Sequence, residues 1–309
     1  MPNKHLEHLE DSIFLGRRTA LNAIKQALTV TDNISVKYDG APAIVFGTNP
    51  DNGRFFVGTK SVFNKKKVLI NYSFDDIAKN HKGNVADILR MVFRYAPRIH
   101  DIVQADWIGV GGGSVFCPNT LEYQFDSEIS QDIILAPHTH YTHISPDAEG
   151  RIGLTIDSTH NTYFVDTMTA RVNKCPFNGL DILAKVTALL PFTKVPSKHS
   201  VQYINKHINN FIRGGLIANP QWMYNSLPDK YKKEVNVNTF KVWHLIYKLK
   251  MRLLDAIENN SNVKCFIDGK PSNHEGFVIV SNNPYKIVDR LTFSKANFNL
   301  DKNWTNEEV

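Results

Sequence analysis

Apolar residues in this chain change their spacing twice, and the double switch constrains the fold more than any other feature. Up to about Gly179, and again after Asn262, they mostly mark short strands separated by Gly, Pro and Asn turns; between those points they recur at helical spacing. The last helical segment carries the clearest stripe, in which Val242, Leu245, Ile246, Leu249, Leu253 and Ile257 fall on one side. Lys241, Lys248, Lys250 and Arg252 take the remaining positions and are expected to face water. With Lys230, Lys232 and Lys233 upstream, they would make a basic surface able to follow a phosphate backbone. Strands at both ends with helices between imply an α+β protein, with residues 1–178 and 263–309 as two parts of one domain and residues 179–262 as a helical insertion.

Composition narrows the classes. The chain has 309 residues, 42% of them hydrophobic, enough for a sizeable core. No apolar run approaches the roughly 18 residues of a membrane span, and Met1–Glu10 is too polar for a signal peptide, so a cytoplasmic protein without a membrane partner is expected. Cys117, Cys175 and Cys265 lie far apart with no Cys-x-x-Cys pair, which indicates neither a disulfide framework nor a cysteine zinc site. The net charge of +6 favours an anionic partner such as nucleic acid.

A helix over Asp11–Leu28, interrupted at Gly16, leads into the stretch Ser35–Gly47. Val36 on one side and Ala43–Phe46 on the other supply strand residues, and Asp39-Gly40 between them is a strong hairpin signal. Lys37 therefore stands where a buried strand opens into a turn. A lysine amine is a poor nucleophile at its usual pKa of about 10.4, and reacts near neutral pH only when partly desolvated or set beside other cations. A strand end under an apolar sheet provides such a place. The alternative is a lysine that snorkels from a strand edge while Asp39-Gly40 merely makes the turn. After the turn at Asn49–Gly53, an antiparallel strand over Arg54–Ser61 brings Lys60 to the same end of the sheet.

Further along, a helix over Asn84–Tyr95 precedes the strand Ile102–Ile108, which holds Asp106 inside an apolar run. A carboxylate there needs a partner or a ligand, because an unpaired buried charge is costly. Gly111–Gly113 follows as a flexible hairpin. Leu121–Phe125 alternates, placing Tyr123 and Phe125 on one face, where one of them would stack on a base or both would pack in the core. His138, His140 and His143 lie in a strand over Ile133–Ile144 in which only the first two share a face, so hydrogen-bonded or solvated histidines are a better reading than zinc. Near the end, His274–Val280 and Tyr285–Arg290 form a hairpin across Asn282-Asn283-Pro284 and bring in Glu275 and Lys286.

Taken in order, Lys-x-Asp-Gly at Lys37, Asp106 in its apolar strand, the aromatic strand Tyr123–Phe125, Glu-Gly-Phe-Val at Glu275 and Tyr-Lys-Ile at Lys286 resemble the motifs of covalent nucleotidyltransferases. That superfamily contains ATP-dependent DNA and RNA ligases and mRNA-capping guanylyltransferases. His-Leu-Glu-His-Leu-Glu-Asp, Lys-Tyr-Asp-Gly-Ala-Pro-Ala, Pro-Asn-Thr and Val-Asp-Arg-Leu-Thr-Phe-Ser-Lys-Ala-Asn-Phe look closest to a bacteriophage group assigned as RNA ligases.

The resemblance implies a two-lobed, antiparallel-sheet adenylation domain around an ATP cleft, with Lys37 as the adenylated lysine. Asp39 would orient the site, and Lys60 would contact the nucleotide or its phosphates. Asp106 stands where relatives carry Glu, contacting the ribose or a metal-bound water; Glu275 would hold Mg2+ or Mn2+. Tyr123 or Phe125 would lie against the base, and Lys286 would neutralise the α-phosphate or the leaving group. Many ligases carry a second lysine two residues after Lys286, where this chain has Val288; Arg290 or Lys295 would have to compensate. Leu291–Val309 is too short for the C-terminal oligonucleotide-binding barrel of DNA ligases and capping enzymes. The activity implied is an ATP-dependent RNA ligase in the cytoplasm, that of the host if the protein is viral, with RNA as partner in preference to DNA. The alternatives are a DNA ligase, a guanylyltransferase and a non-catalytic nucleic-acid-binding relative.

Overall fold

The computed structural model describes residues 6–173, 177–213, 219–272 and 274–293. The protein is α+β, with several largely antiparallel sheets. Its chain forms two compact units. One gathers Ser35–Ala170 and Asn259–Glu275; the other gathers Leu6–Ile34, Arg171–Glu258 and the chain from Gly276 on. The helical block therefore shares a unit with the N-terminal helix and the C-terminal hairpin. Asn259–Glu275 returns to the strands of the first unit. Among the described residues no helix is long and apolar enough to cross a membrane.

In the first unit, Ala43–Thr48 lies between Phe55–Gly58 and Ile102–Val110, and the sheet continues through Ile133–Tyr141 to Thr162–Phe164. Strand periodicity divides its core. Ile44, Phe46, Val103, Ala105, Trp107, Ile133 and Leu135 face Ala86, Ile88, Leu89 and Val92 of the helix Gly83–Tyr95. Val45, Phe56, Ile102 and Tyr141 pack on the opposite side with Val62 and Phe63. Asp106 alternates with Ala105 and Trp107, so it stands on the face away from that helix. A second sheet runs Gly113–Phe116, Leu121–Ile129, Val263–Ile267, Lys270–Ser272, antiparallel throughout.

Two expected hairpins are corrected. Ile34–Lys37 and Ala43–Thr48 are both strands, but they lie in different sheets, and so do Ile102–Val110 and Gly113–Phe116. The backbone groups that a Lys37 hairpin would satisfy are taken elsewhere: Val36 N–H donates to the Thr167 carbonyl at 2.7 Å, and Trp107 N–H donates to the Pro42 carbonyl at 3.2 Å. Asp39-Gly40 lies in the connection between the two strands, whose bend falls at Ala41-Pro42. Gly40 is required because a Cβ there would stand 2.2 Å from the Trp107 carbonyl oxygen.

In the second unit, Ser12–Leu15 and Arg17–Thr29 are separate helices parted at Gly16, whose φ of +143° few other residues adopt. The helix Val237–Ala256 buries Val242, Ile246, Leu249 and Leu253 of the expected stripe, while Leu245 is half-buried and Ile257 opens the strand Ile257–Asn259 beyond the helix end. Lys250 departs from expectation. It is 0% exposed, and its Nζ donates to Glu10 Oε1 at 2.7 Å. Position 250 is four residues beyond Ile246 and three before Leu253, so helical spacing places it on the buried side despite its charge. Gly276–Ile279 and Tyr285–Ile287 form the expected antiparallel hairpin, and Glu7–His8 adds in parallel to its edge.

Candidate active site

Lys37 is the last residue of its strand, and Glu275 is held beside it twice. The Glu275 N–H donates to the Lys37 carbonyl at 3.3 Å, and the Lys37 ammonium donates to Glu275 Oε2. Both side chains keep a window to solvent, with exposures of 22% and 19%. The pair is therefore desolvated in part yet open to a reactant.

Asp39 is clamped on three sides. Its N–H donates to Tyr123 Oη at 2.7 Å, and Asn119 Nδ2 donates to its Oδ2 at 2.6 Å and to its carbonyl at 3.0 Å. Asn119 is fixed in turn by accepting from the Leu121 N–H at 2.8 Å. Its motif, Pro118-Asn119-Thr120, stood in the sequence without a role. The only local signal was an asparagine between two strands, a position that favours side-chain bonds to nearby backbone.

Asp106 pairs with Ala43 in the sheet, and its Oδ1 is 3.9 Å from His138 Nε2. Burial pushes its carboxyl up to about 7; the Lys37 and Lys60 ammoniums pull against that shift, and Asp39 reinforces it. Those couplings bring Asp106, Lys37, Asp39 and Lys60 into one electrostatic neighbourhood.

Tyr38 and His274, the chain neighbours of Lys37 and Glu275, cluster with Tyr123, the Asp39 partner. The Tyr38 ring is 5.3 Å from Tyr123 and 4.9 Å from His274, and His274 is 5.7 Å from Tyr123. Burial pushes His274 down to about 4, leaving it neutral at pH 7, and pushes the Cys265 thiol up to about 12. His274 also holds φ at +57°, an uncommon conformation for a non-glycine residue, immediately before Glu275. Nothing in the sequence distinguished it.

A family model described as a family of unknown function, DUF6267, matches residues 3–302. The chain belongs to the DUF6267 family. No curated protein and no solved structure matches it.

The remaining candidates in this DUF6267 chain are distributed as follows. Lys60 is exposed and opens the 3-10 turn Lys60–Phe63, just beyond its strand. Tyr123 is 0% exposed and carries the Asp39 bond, while Phe125 packs edge-on against Phe116 and Tyr163. Neither ring offers an open face to a base. Lys286 and Arg290 belong to the second unit. Lys286 lies in the Tyr285–Ile287 strand opposite Val278 and His8. Arg290 donates to Asp11 Oδ1 at 3.0 Å, to Glu10 Oε1 at 3.2 Å and to Asn209 Oδ1, so its guanidinium is engaged within that unit. Val288 is buried, and Lys295 lies outside the described residues. Among the described residues no three His, Cys, Asp or Glu side chains gather as a metal cluster.

The Asp106 carboxyl sets a testable pH dependence. Because its folded-state pKa is raised, the folded chain keeps a proton that the unfolded chain has lost, so its contribution to stability falls as pH rises from about 4 to about 7. Asp106→Asn removes that penalty. Urea unfolding is expected to show the variant about 1–3 kcal/mol more stable than wild type near pH 8, with the difference vanishing near pH 4. A gain that persists at the acid end would contradict the assignment.

Proposed function

We propose that this chain is an ATP-dependent RNA ligase that joins 5'-phosphate and 3'-hydroxyl ends through a lysyl-AMP intermediate. The observation that carries the reading is the Lys37–Glu275 pair, partly exposed to solvent, with a neutral aromatic cluster adjoining it in the chain, Asp39 clamped and Asp106 electrostatically coupled to Lys37. Lys37 Nζ, once it has given up a proton, attacks the α-phosphorus of ATP. An N–P bond forms, the bond to the β-phosphate oxygen breaks, and pyrophosphate leaves. Glu275 is the acceptor in contact with the departing proton. AMP then passes to an RNA 5'-phosphate, and a 3'-hydroxyl displaces it.

The donor set suits magnesium. This ion is bound by one or two carboxylates together with substrate phosphates and retained waters, so a three-residue protein cage is not needed. A carboxylate at Asp106 that burial has pushed to about 7 lacks the positive charge such an ion supplies. Glu275 and Asp106 would hold it, and bound there it would neutralise charge building on the phosphates. Lys60 would add to that neutralisation.

One observation favours a second reading, a non-catalytic nucleic-acid-binding protein: an amine engaged by a carboxylate is an ammonium, which is no nucleophile. Intact-protein mass spectrometry after incubation with ATP and magnesium separates the two. The ligase reading expects a mass increase of one AMP, with ATP preferred over GTP and NAD. No adduct with any of the three would leave the binding reading. With an adduct in hand, 5'-phosphorylated RNA and DNA strands, single and nicked, are then offered; sealing confined to nicked DNA would overturn the RNA assignment.

A further inference from the structure

On the face of the first unit's large sheet away from Asp106, the helix Gly83–Tyr95 borders an open groove of about 480 Å3. Phe74, Arg90, Arg94, Tyr95, Val110 and Asp132 line it. Arg90 and Arg94 are four residues apart and so share a side of the helix. Arg98, past the helix end and outside the groove's lining, holds its guanidinium 3.8 Å over the Phe55 ring and donates to the Phe93 carbonyl at 3.1 Å. Phe74 meets Phe93 edge-on at 5.2 Å while remaining 43% exposed, and Val110 is 54% exposed. A large ring and a valine left partly to water beside two arginines form an amphipathic strip.

The charges have different standing. Arg90 donates to Asp87 at 2.6 Å, which offsets part of its charge. Arg94 lies 6.0 Å from the Tyr95 ring and makes no ion pair among the described residues. Asp132, which lines the groove, accepts from Asn161 Nδ2 at 2.7 Å and keeps further lone pairs as acceptors.

We propose that this groove binds a single-stranded polynucleotide, with a base against Phe74 and Tyr95 and the flanking phosphates on Arg94 and Arg90. Exposed rings interleaved with arginines are what stacking bases and backbone phosphates require together. A phosphate would be repelled by Asp132, whereas the exocyclic amine of adenine or cytosine would donate to it. The groove therefore favours A- or C-containing strands over uridine runs. The proposal rests on the ligase reading only for its choice of RNA as the probe, since none of these residues touches the Lys37 neighbourhood.

Fluorescence anisotropy with labelled single-stranded oligo(A), oligo(C) and oligo(U) RNA tests it on the full chain. Wild type is expected to bind the A and C strands more tightly than the U strand. Arg94→Glu should weaken binding about tenfold and lower the slope of log affinity against log salt by about one. Phe74→Ala, at an exposed site, should weaken it about five- to tenfold with the salt slope unchanged. Both variants should keep the wild-type thermal midpoint and the wild-type yield of AMP adduct. Failure of wild type to bind any strand, or unchanged affinity in both variants, overturns the groove assignment whatever the adduct assay gives. Displacement of RNA by polyglutamate at equal charge concentration would assign the groove to acidic polypeptides instead.

Discussion

Lys37→Ala protein mixed with ATP and magnesium is expected to gain no AMP, while wild type is labelled. The effect should be all or nothing, because among the described residues no other amine in the Lys37 neighbourhood is shown in direct contact with a carboxylate. Lys60 is exposed on a 3-10 turn and does not share the Glu275 partner. Glu275→Gln sharpens the test. It keeps a hydrogen-bond acceptor beside Lys37 but removes the negative charge, so adduct formation should fall about 10²–10⁴-fold, the range for loss of a positioned acid–base group. Folding should survive both changes, since the two side chains are partly exposed. Labelling of the Lys37→Ala protein at another residue would remove Lys37 from the chemistry.

The second large effect is expected in the other unit. Glu10 and Asp11 are buried together with Lys250 and Arg290, and Trp243 Nε1 donates to Asp11 Oδ1 at 2.8 Å. Burial would push Glu10 up, yet Lys250 and Arg290 hold its carboxyl below the ordinary range. Two carboxylates meet two cations, so the group is neutral only when complete. Lys250→Met preserves most of the volume and removes one cation, leaving Arg290 to serve both acids. Breaking a buried pair from one side costs about 3–5 kcal/mol, and urea unfolding should show a loss of that size near pH 7. The variant also predicts a sign with pH. Without Lys250 the folded-state pKa of the acid pair rises above its unfolded value, so the penalty is full above the raised pKa and shrinks as the solution is acidified towards about 4. Replacing Glu10 and Lys250 together, by Gln and Met, should recover much of the loss. A single variant as stable as wild type would show that the cluster contributes nothing.

Much of this was readable from residue order, and what was not has identifiable causes. The apolar stripe of Val242, Ile246, Leu249 and Leu253, the break at Gly16 and the C-terminal hairpin follow local rules of period and turn chemistry. Asp106 was legible because a carboxylate inside an apolar strand is conspicuous. Lys250 and Arg290 were misread as solvent- or nucleotide-facing because charge suggested exposure, while their partners Glu10 and Asp11 lie more than two hundred residues away. Pairing across that distance leaves no local mark. Asn119 escaped for a similar reason: its hydrogen bonds to Asp39 span 80 residues. Asp39-Gly40 lies in the connection between the two strands, but the bend falls at Ala41-Pro42, and turn residues do not say which strand a chain bends towards.

The division of the chain also has a consequence for the order in which the protein is made. Along the chain, synthesis passes from the second unit to the first, back to the second, to the first again for Asn259–Glu275, and returns to the second from Gly276. Lys37 emerges early, but its carboxylate partner lies 238 residues later. At about 5–20 residues per second, Lys37 waits on the order of 10–50 s before Glu275 exists. By then the whole of Arg171–Glu258 has been synthesised. On the ligase reading proposed above, the amine of a nascent chain lacks its proton acceptor, and with it the reaction with ATP, until that carboxylate has been made.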